Sequence, residues 1–251
     1  MINRNKITVL FLFLCVTFEQ CYSKIPDYIQ VCKRDQDTIN ECVRKSVEVL
    51  RPKLLEGIPE IDVPSLDPFY ISEISPSSSS NTKGFQATGK DIMVSGAGNY
   101  SIKSVELDLE KQTFRARIRF PKLHFEGKYK VDIQFLLLPI RGEGTLSADA
   151  IKCTVDCLLR YKIVERNGVE YIEFTDLDND INIRDYKINL QGLFNGDKSL
   201  EEATNQALNE NKAELIKAVK PFAEKSVSNI ILDAANKITK NIPYDELLPK
   251  P

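Results

Sequence analysis

The sequence predicts an α+β protein in which a long C-terminal α-helix is wrapped by a highly curved antiparallel β-sheet. Three observations predict it. From Phe85 to Leu190 the signal is mostly strand, as where Tyr129, Val131, Ile133, Phe135 and Leu137 alternate with Lys128, Lys130, Asp132 and Gln134. Asn167-Gly168 between alternating runs is a tight hairpin signal, and no βαβ alternation appears, so the strands are antiparallel. From Ser199 to Lys240 the period becomes helical, with Leu200, Ala203, Ala207, Leu215, Val219, Phe222, Ile230, Ala234 and Ile238 on one stripe. Such a helix is roughly 60 Å long, and a compact sphere of this chain is roughly 45 Å across. An elongated molecule follows, with a twisted sheet curled around the helix into a tube that side chains need not fill.

Residues 1–23 read as a signal peptide. Arg4 and Lys6 precede the apolar run Ile7–Phe18, too short to span a bilayer comfortably, with small residues for cleavage after Ser23. The remaining residues, 24–251, form one domain of a secreted, extracellular protein. No later stretch reaches transmembrane length, so stable membrane insertion is not expected. The full chain carries 34 basic and 36 acidic residues, a net of -2, which gives no push toward nucleic acid.

Cleavage leaves Cys32, Cys42, Cys153 and Cys157. Closing the short loop between Cys32 and Cys42 would stabilise the fold by about 2.7 kcal/mol. Cys153 and Cys157 sit in an alternating strand, about 13 Å apart along it, and are expected as free thiols on the apolar face unless a bulge joins them.

Taking the elements in order, Thr38 with Glu41 has capping-box form and opens a helix carrying Ile39, Val43, Val47, Leu50 and Leu54. Pro59, Pro64 and Pro68 make the next stretch an extended connection. Ser75–Gly84 reads as a mobile loop. Phe114, Ala116, Ile118 and Phe120 alternate with Arg115, Arg117 and Arg119, and a turn at Glu126-Gly127 is expected to fold this strand onto the next as a hairpin. The arginine stripe reads as a solvated face. Ser199 with Glu202 forms a second capping box, and Pro221 is expected to bend or split the long helix.

These residues resemble the takeout and juvenile hormone-binding protein family of insects. The resemblance is carried by "CKRDQDTINECVRKSVEVLRPKLLEGIPEIDVPSLDPFYISEI", then "FPKLHFEGKY" leading into "LLLPIRGEG", then "GLFNGDKSL", then "NKITKNIPYDELLP". The blocks fall in order over nearly the whole mature chain. Asp132 and Lys212 depart from the pattern, where members often have Gly and Trp. The resemblance implies that the sheet and helix enclose a hydrophobic tunnel, that Cys32 and Cys42 are disulfide-bonded, and that the protein carries a small hydrophobic ligand non-covalently. A juvenile hormone-like terpenoid or a fatty acid-like lipid fits that description, and no residue selects between them. No cofactor and no metal are implied.

The expected ligand-binding wall is Ile118, Phe120, Tyr129, Val131, Ile133, Phe135, Leu137, Val155, Phe174 and Phe222, with the Tyr129 hydroxyl able to orient a polar end or to bond backbone. Asn99 in Asn-Tyr-Ser is a glycosylation sequon. Asp176–Asp180 begins like a calcium loop, but Ile181 and Lys187 stand where Gly and Glu are needed, so it reads as a solvated turn. An enzyme is not expected. His124 is the sole histidine, and there is no Gly-x-Ser-x-Gly elbow, no phosphate loop and no histidine pair for a metal. The alternative to a carrier is a secreted signalling protein that works through its outer surface on an unknown receptor. A hydrolase using His124 as its base is a third reading.

Overall fold

The computed structural model describes residues 25–75 and 85–251. The expected signal peptide, and all of the expected loop after Ser75, lie outside the described residues. Helix α1 (Ile39–Glu56) is followed by β1 (Phe69–Ile74), β2 (Phe85–Ser95), β3 (Ser101–Asp108), β4 (Thr113–Phe135), β5 (Leu138–Arg166) and β6 (Val169–Leu193). Helices α2 (Lys198–Glu210), α3 (Lys212–Thr239) and α4 (Tyr244–Leu247) complete the chain. The strands form one antiparallel sheet in the order β1-β2-β4-β5-β6, with β3 pairing the N-terminal half of β4. Curled into a half-barrel, the sheet takes the C-terminal helices along its open side.

The expected hairpin at Glu126-Gly127 is absent. β4 runs through both residues as one strand, and the chain reverses at Leu136-Leu137 instead. Gly127 is needed for close approach, because a Cβ there would sit 3.0 Å from the Ile92 Cα. The two apolar sets of β4 fall on even and odd positions, yet both face the helices. The alternation itself reverses phase. Inward residues are even on β4 up to Phe120 and odd from Leu123, odd on β5 after Lys152 and even before it, and on β6 odd from Leu177 to Ile183 and even from Tyr186. The pairing register between β4, β5 and β6 is unchanged across this line. Lys152, with φ 54°, lies on it. A left-handed residue turns the pleat over without inserting a residue.

Neither capping box forms. Thr38 donates to Asp35 and caps no amide, while α2 starts earlier, with Asp197 accepting from the Leu200 N–H at 3.1 Å. The long helix is split at Asn211 (φ -99°, ψ 56°), and Pro221 is accommodated inside α3.

β6 is an edge strand, and an unpaired edge leaves backbone groups without partners. Helices α2 and α3 run antiparallel to β6 and satisfy that edge with side chains. Asn205 donates to the Leu190 carbonyl and accepts from its N–H, both at 2.8 Å. Asn209 does the same to Ile188 and Asn236 to Phe174. Each asparagine amide stands in for the peptide of a seventh strand. Glu201 accepts from the Gly192 N–H, Glu224 accepts from the Ile181 N–H, and Ser228 donates to the Leu177 carbonyl.

Candidate functional site

The interior divides along its length. At one end Tyr129, Phe135, Ile140, Tyr186, Leu190 and Leu193 bury against Leu208 of α2 and Leu215 of α3. At the other, Cys32, Ile39, Leu107, Tyr161, Ile172, Tyr244 and Leu248 form a second closed core. A smaller cluster of Cys157, Leu159 and Leu177 packs against Ile231, Leu232 and Ala235 of α3.

Between the end cores lies a waist. Ile118 pairs with Val155 and Val155 with Ile181, while Phe120 pairs with Cys153 and Cys153 with Ile183. Ile118, Phe120, Val155 and Ile183 are only half-buried, as are Phe222, Val227 and Ile230 on the matching stretch of α3. Val155 packs on the cluster of Cys157, Leu159 and Leu177, while the other side chains of this band are only partly covered by the protein itself.

Helix α3 presents two flanks here. Residues four apart lie on one flank, and Glu224, Ser228 and Asn236 hold the β6 edge. The opposite flank, with Ser226, Ile230, Ala234 and Lys237, faces β1 across a cavity of about 540 Å³. Phe69, Ile71 and Ile74 of β1 supply apolar wall, and Asp62, Glu73 and Asp233 supply charge. The volume falls in the usual range of small-molecule sites. Asn179 occupies an inward position of β6 at the same level. Its amide donates to the Glu224 carbonyl at 2.8 Å and to the Ser228 hydroxyl at 2.6 Å, while its Oδ1 is buried with no hydrogen-bond partner among the described residues. A buried acceptor of this kind carries a cost unless something donates to it.

The ten residues expected to line a tunnel are distributed among different environments. Ile118, Phe120, Val155 and Phe222 come together at the waist. Tyr129, Val131, Ile133 and Phe135 belong to the closed core at the α2 end. The Tyr129 hydroxyl donates to the Gln191 carbonyl at 3.0 Å, and burial pushes it up to about 12. Phe174 packs against both the second core and the smaller cluster. Leu137 must be corrected: it is 89 % exposed at the tip of the β4–β5 hairpin, because the alternation ends at Phe135 where the chain reverses. Sequence reasoning missed β1 and Asn179. The alternation of Phe69 and Ile71 was the available signal for β1, masked by the prolines before it.

Cys32 and Cys42 form a disulfide. Cys153 and Cys157 are free and buried, and burial raises both thiols to about 11. Asn99 is exposed at the end of a short turn. The Asp176–Asp180 stretch is strand rather than turn: Arg160 pairs with Asp176 and Asp178, and Lys220 with Asp180. On the outer face Arg117 pairs with Asp156. His124 places Nδ1 2.7 Å from Asp149 and Nε2 3.2 Å from Glu126. The hydrogen bond to Asp149, then that to Glu126, raises its pKa. An imidazole held between two carboxylates favours the protonated form, the opposite of what a general base requires.

The sequence pattern of the haemolymph juvenile hormone binding protein family matches residues 9–249. The circadian clock-controlled protein daywake of Drosophila melanogaster is 25% identical over 233 residues, covering 90% of this chain and 88% of that protein. A putative beta-carotene-binding protein of Schistocerca gregaria is 24% identical over 209 residues, covering 82% of each. The crystal structure of Epiphyas postvittana Takeout 1 superposes with a TM-score of 0.65 at 24% identity, covering 89% of this chain and 96% of that one, and shares the fold.

Proposed function

Because this chain belongs to the haemolymph juvenile hormone binding protein family, we propose that it is a secreted carrier that holds a small hydrophobic ligand non-covalently at the waist. The observation that carries this reading is the band of half-covered apolar side chains between two closed cores, which shares Ile230 of α3 with the cavity against β1. Filling that band removes apolar surface from water at about 25 cal/mol per Å². A juvenile hormone-like terpenoid or a fatty acid-like lipid has the required apolar body. A relative is named as a putative beta-carotene-binding protein, and beta-carotene is an extended apolar molecule. Secretion fits the Cys32–Cys42 disulfide, which persists in oxidising compartments, and exposed Asn99 is then a site for glycosylation.

The test is uptake by emptied protein. Delipidated protein titrated with a fluorescent polyene fatty acid is expected to bind it in saturable fashion. Ala234→Phe fills the cavity beside α3 and is expected to weaken uptake about tenfold or more while the melting temperature holds. Absence of uptake of fatty acids and terpenoids by emptied wild-type protein would overturn the proposal and move function to the outer surface.

A further inference from the structure

The tip of the β4–β5 hairpin breaks two local rules. A two-residue turn needs residues that tolerate positive φ, usually Gly or Asn. Here Leu136 adopts φ 55°, the left-handed region that a leucine rarely enters. The turn also leaves Leu136, Leu137 and Leu138 exposed by 53 %, 89 % and 44 %. A sequence that accepts backbone strain to present three leucines to water is not optimised for the hairpin alone.

The surroundings narrow the purpose. β6 pairs with β5 as far as Gly142, and Phe135 and Ile140 just inside the turn are buried in the core, so the exposed leucines are confined to the turn that ends the ribbon. Leu200 of α2 is 50 % exposed, and Glu201 beside it binds Gly192, next to the residue that pairs with Gly142, which puts it at the same pole. Every exposed leucine among the described residues therefore lies at this end. The charges nearest the tip are paired: Lys128 with Asp91, Lys130 with Glu143, and Arg141 with Asp132.

We infer that this leucine tip is a peripheral docking element for a lipid bilayer surface. The three side chains together expose less than two full leucines, well short of the about 800 Å² per partner that a stable protein interface buries. An exposed apolar tip of that size suits insertion between lipid headgroups. The balanced charges around it give no preference for anionic lipid. Docking is reversible, and no described helix is long and apolar enough to cross a membrane. The inference stands apart from the cargo reading, since vesicles free of any ligand read the tip alone.

The test is flotation of the purified protein with phosphatidylcholine vesicles, with and without phosphatidylserine, at about 0.05 and about 0.5 M salt. The wild type is expected to float in all four conditions to a similar extent. Leu136→Gly with Leu137→Ser removes the apolar tip while relieving the strained φ, so it keeps or raises the melting temperature. It is expected to lower vesicle partitioning about tenfold or more. Equal flotation of that folded variant, or no flotation of the wild type, would overturn the inference. Binding only to anionic vesicles at low salt would assign the contact to charges elsewhere. A dimer in solution that the variant dissolves, without flotation, would assign the tip to a second copy of the chain. Either result also overturns it.

Discussion

Asn236→Ala tests whether helical side chains truly finish the sheet. Asn236 accepts from the Phe174 N–H at 2.8 Å and donates to the Phe174 carbonyl at 2.9 Å. Removing it deletes two hydrogen bonds worth about 1 kcal/mol each, and strands two half-buried backbone groups at a further total of about 1 kcal/mol. Alanine is the better helix former and returns about 0.5 kcal/mol. The net loss is about 2.5 kcal/mol, which for a domain of this size lowers the melting temperature by about 5–10 °C. The assay is thermal unfolding together with hydrogen exchange at the Phe174 amide, which is expected to lose protection in the variant. Asn229→Ala, at an exposed position of α3, is the control and is expected to leave Phe174 protected and to raise the melting temperature slightly, by the helix propensity of alanine alone. A variant Asn236→Ala that melts within about 1 °C of wild type with Phe174 still protected would refute the account of the β6 edge.

Three further outcomes follow from the same structure. Replacing Cys32 and Cys42 by serine is expected to cost about 2.7 kcal/mol, read as a lower denaturant midpoint with an m-value unchanged or slightly raised as the unfolded chain loses its cross-link. His124 has a raised folded pKa, so its pairing with Asp149 and Glu126 stabilises fully below the unfolded value of about 6.5 and fades as pH rises through the folded value. His124→Gln is therefore expected to be less stable than wild type at pH 5.5 and indistinguishable from it near pH 9, by thermal melts across that range. Cys153 and Cys157, raised to about 11 by burial, are expected to resist iodoacetamide at pH 8 in the folded chain from Lys24 and to react once it is unfolded, as counted by intact mass.

Much of the fold was legible because its signals are periodic. The helical spacing from Ile39, the strand pattern from Phe85 and the change to helical period after Ser199 all mark elements the structure contains. The β4 error has a physical origin. Apolar residues change parity between Phe120 and Tyr129, and a turn is the simplest way to bring both sets to one face. Reversal of the pleat across Pro121, Lys152 and Arg184 does so without a turn, through contacts among three strands distant in sequence. Asn205, Asn209 and Asn236 read as indifferent helix residues, since nothing local reveals that a strand edge lies beside them. The proposed site was legible only where strand alternation and helix stripe converge, at Ile118, Phe120, Val155 and Phe222. Tyr129 through Phe135 carry the same pattern, but their chamber is filled by α2 and by the start of α3, which periodicity cannot show.

The central claim is that the waist holds a carried molecule. Native mass spectrometry of protein secreted by its expressing cells, compared with the same protein after denaturation and organic extraction, tests it most directly. The account predicts a native mass exceeding the covalent mass by a few hundred daltons, on the order of one cargo molecule. It also predicts recovery of an apolar compound of that mass in the extract, and its rebinding by emptied protein. A native mass equal to the covalent mass, with no rebinding of terpenoids or fatty acids, would contradict it.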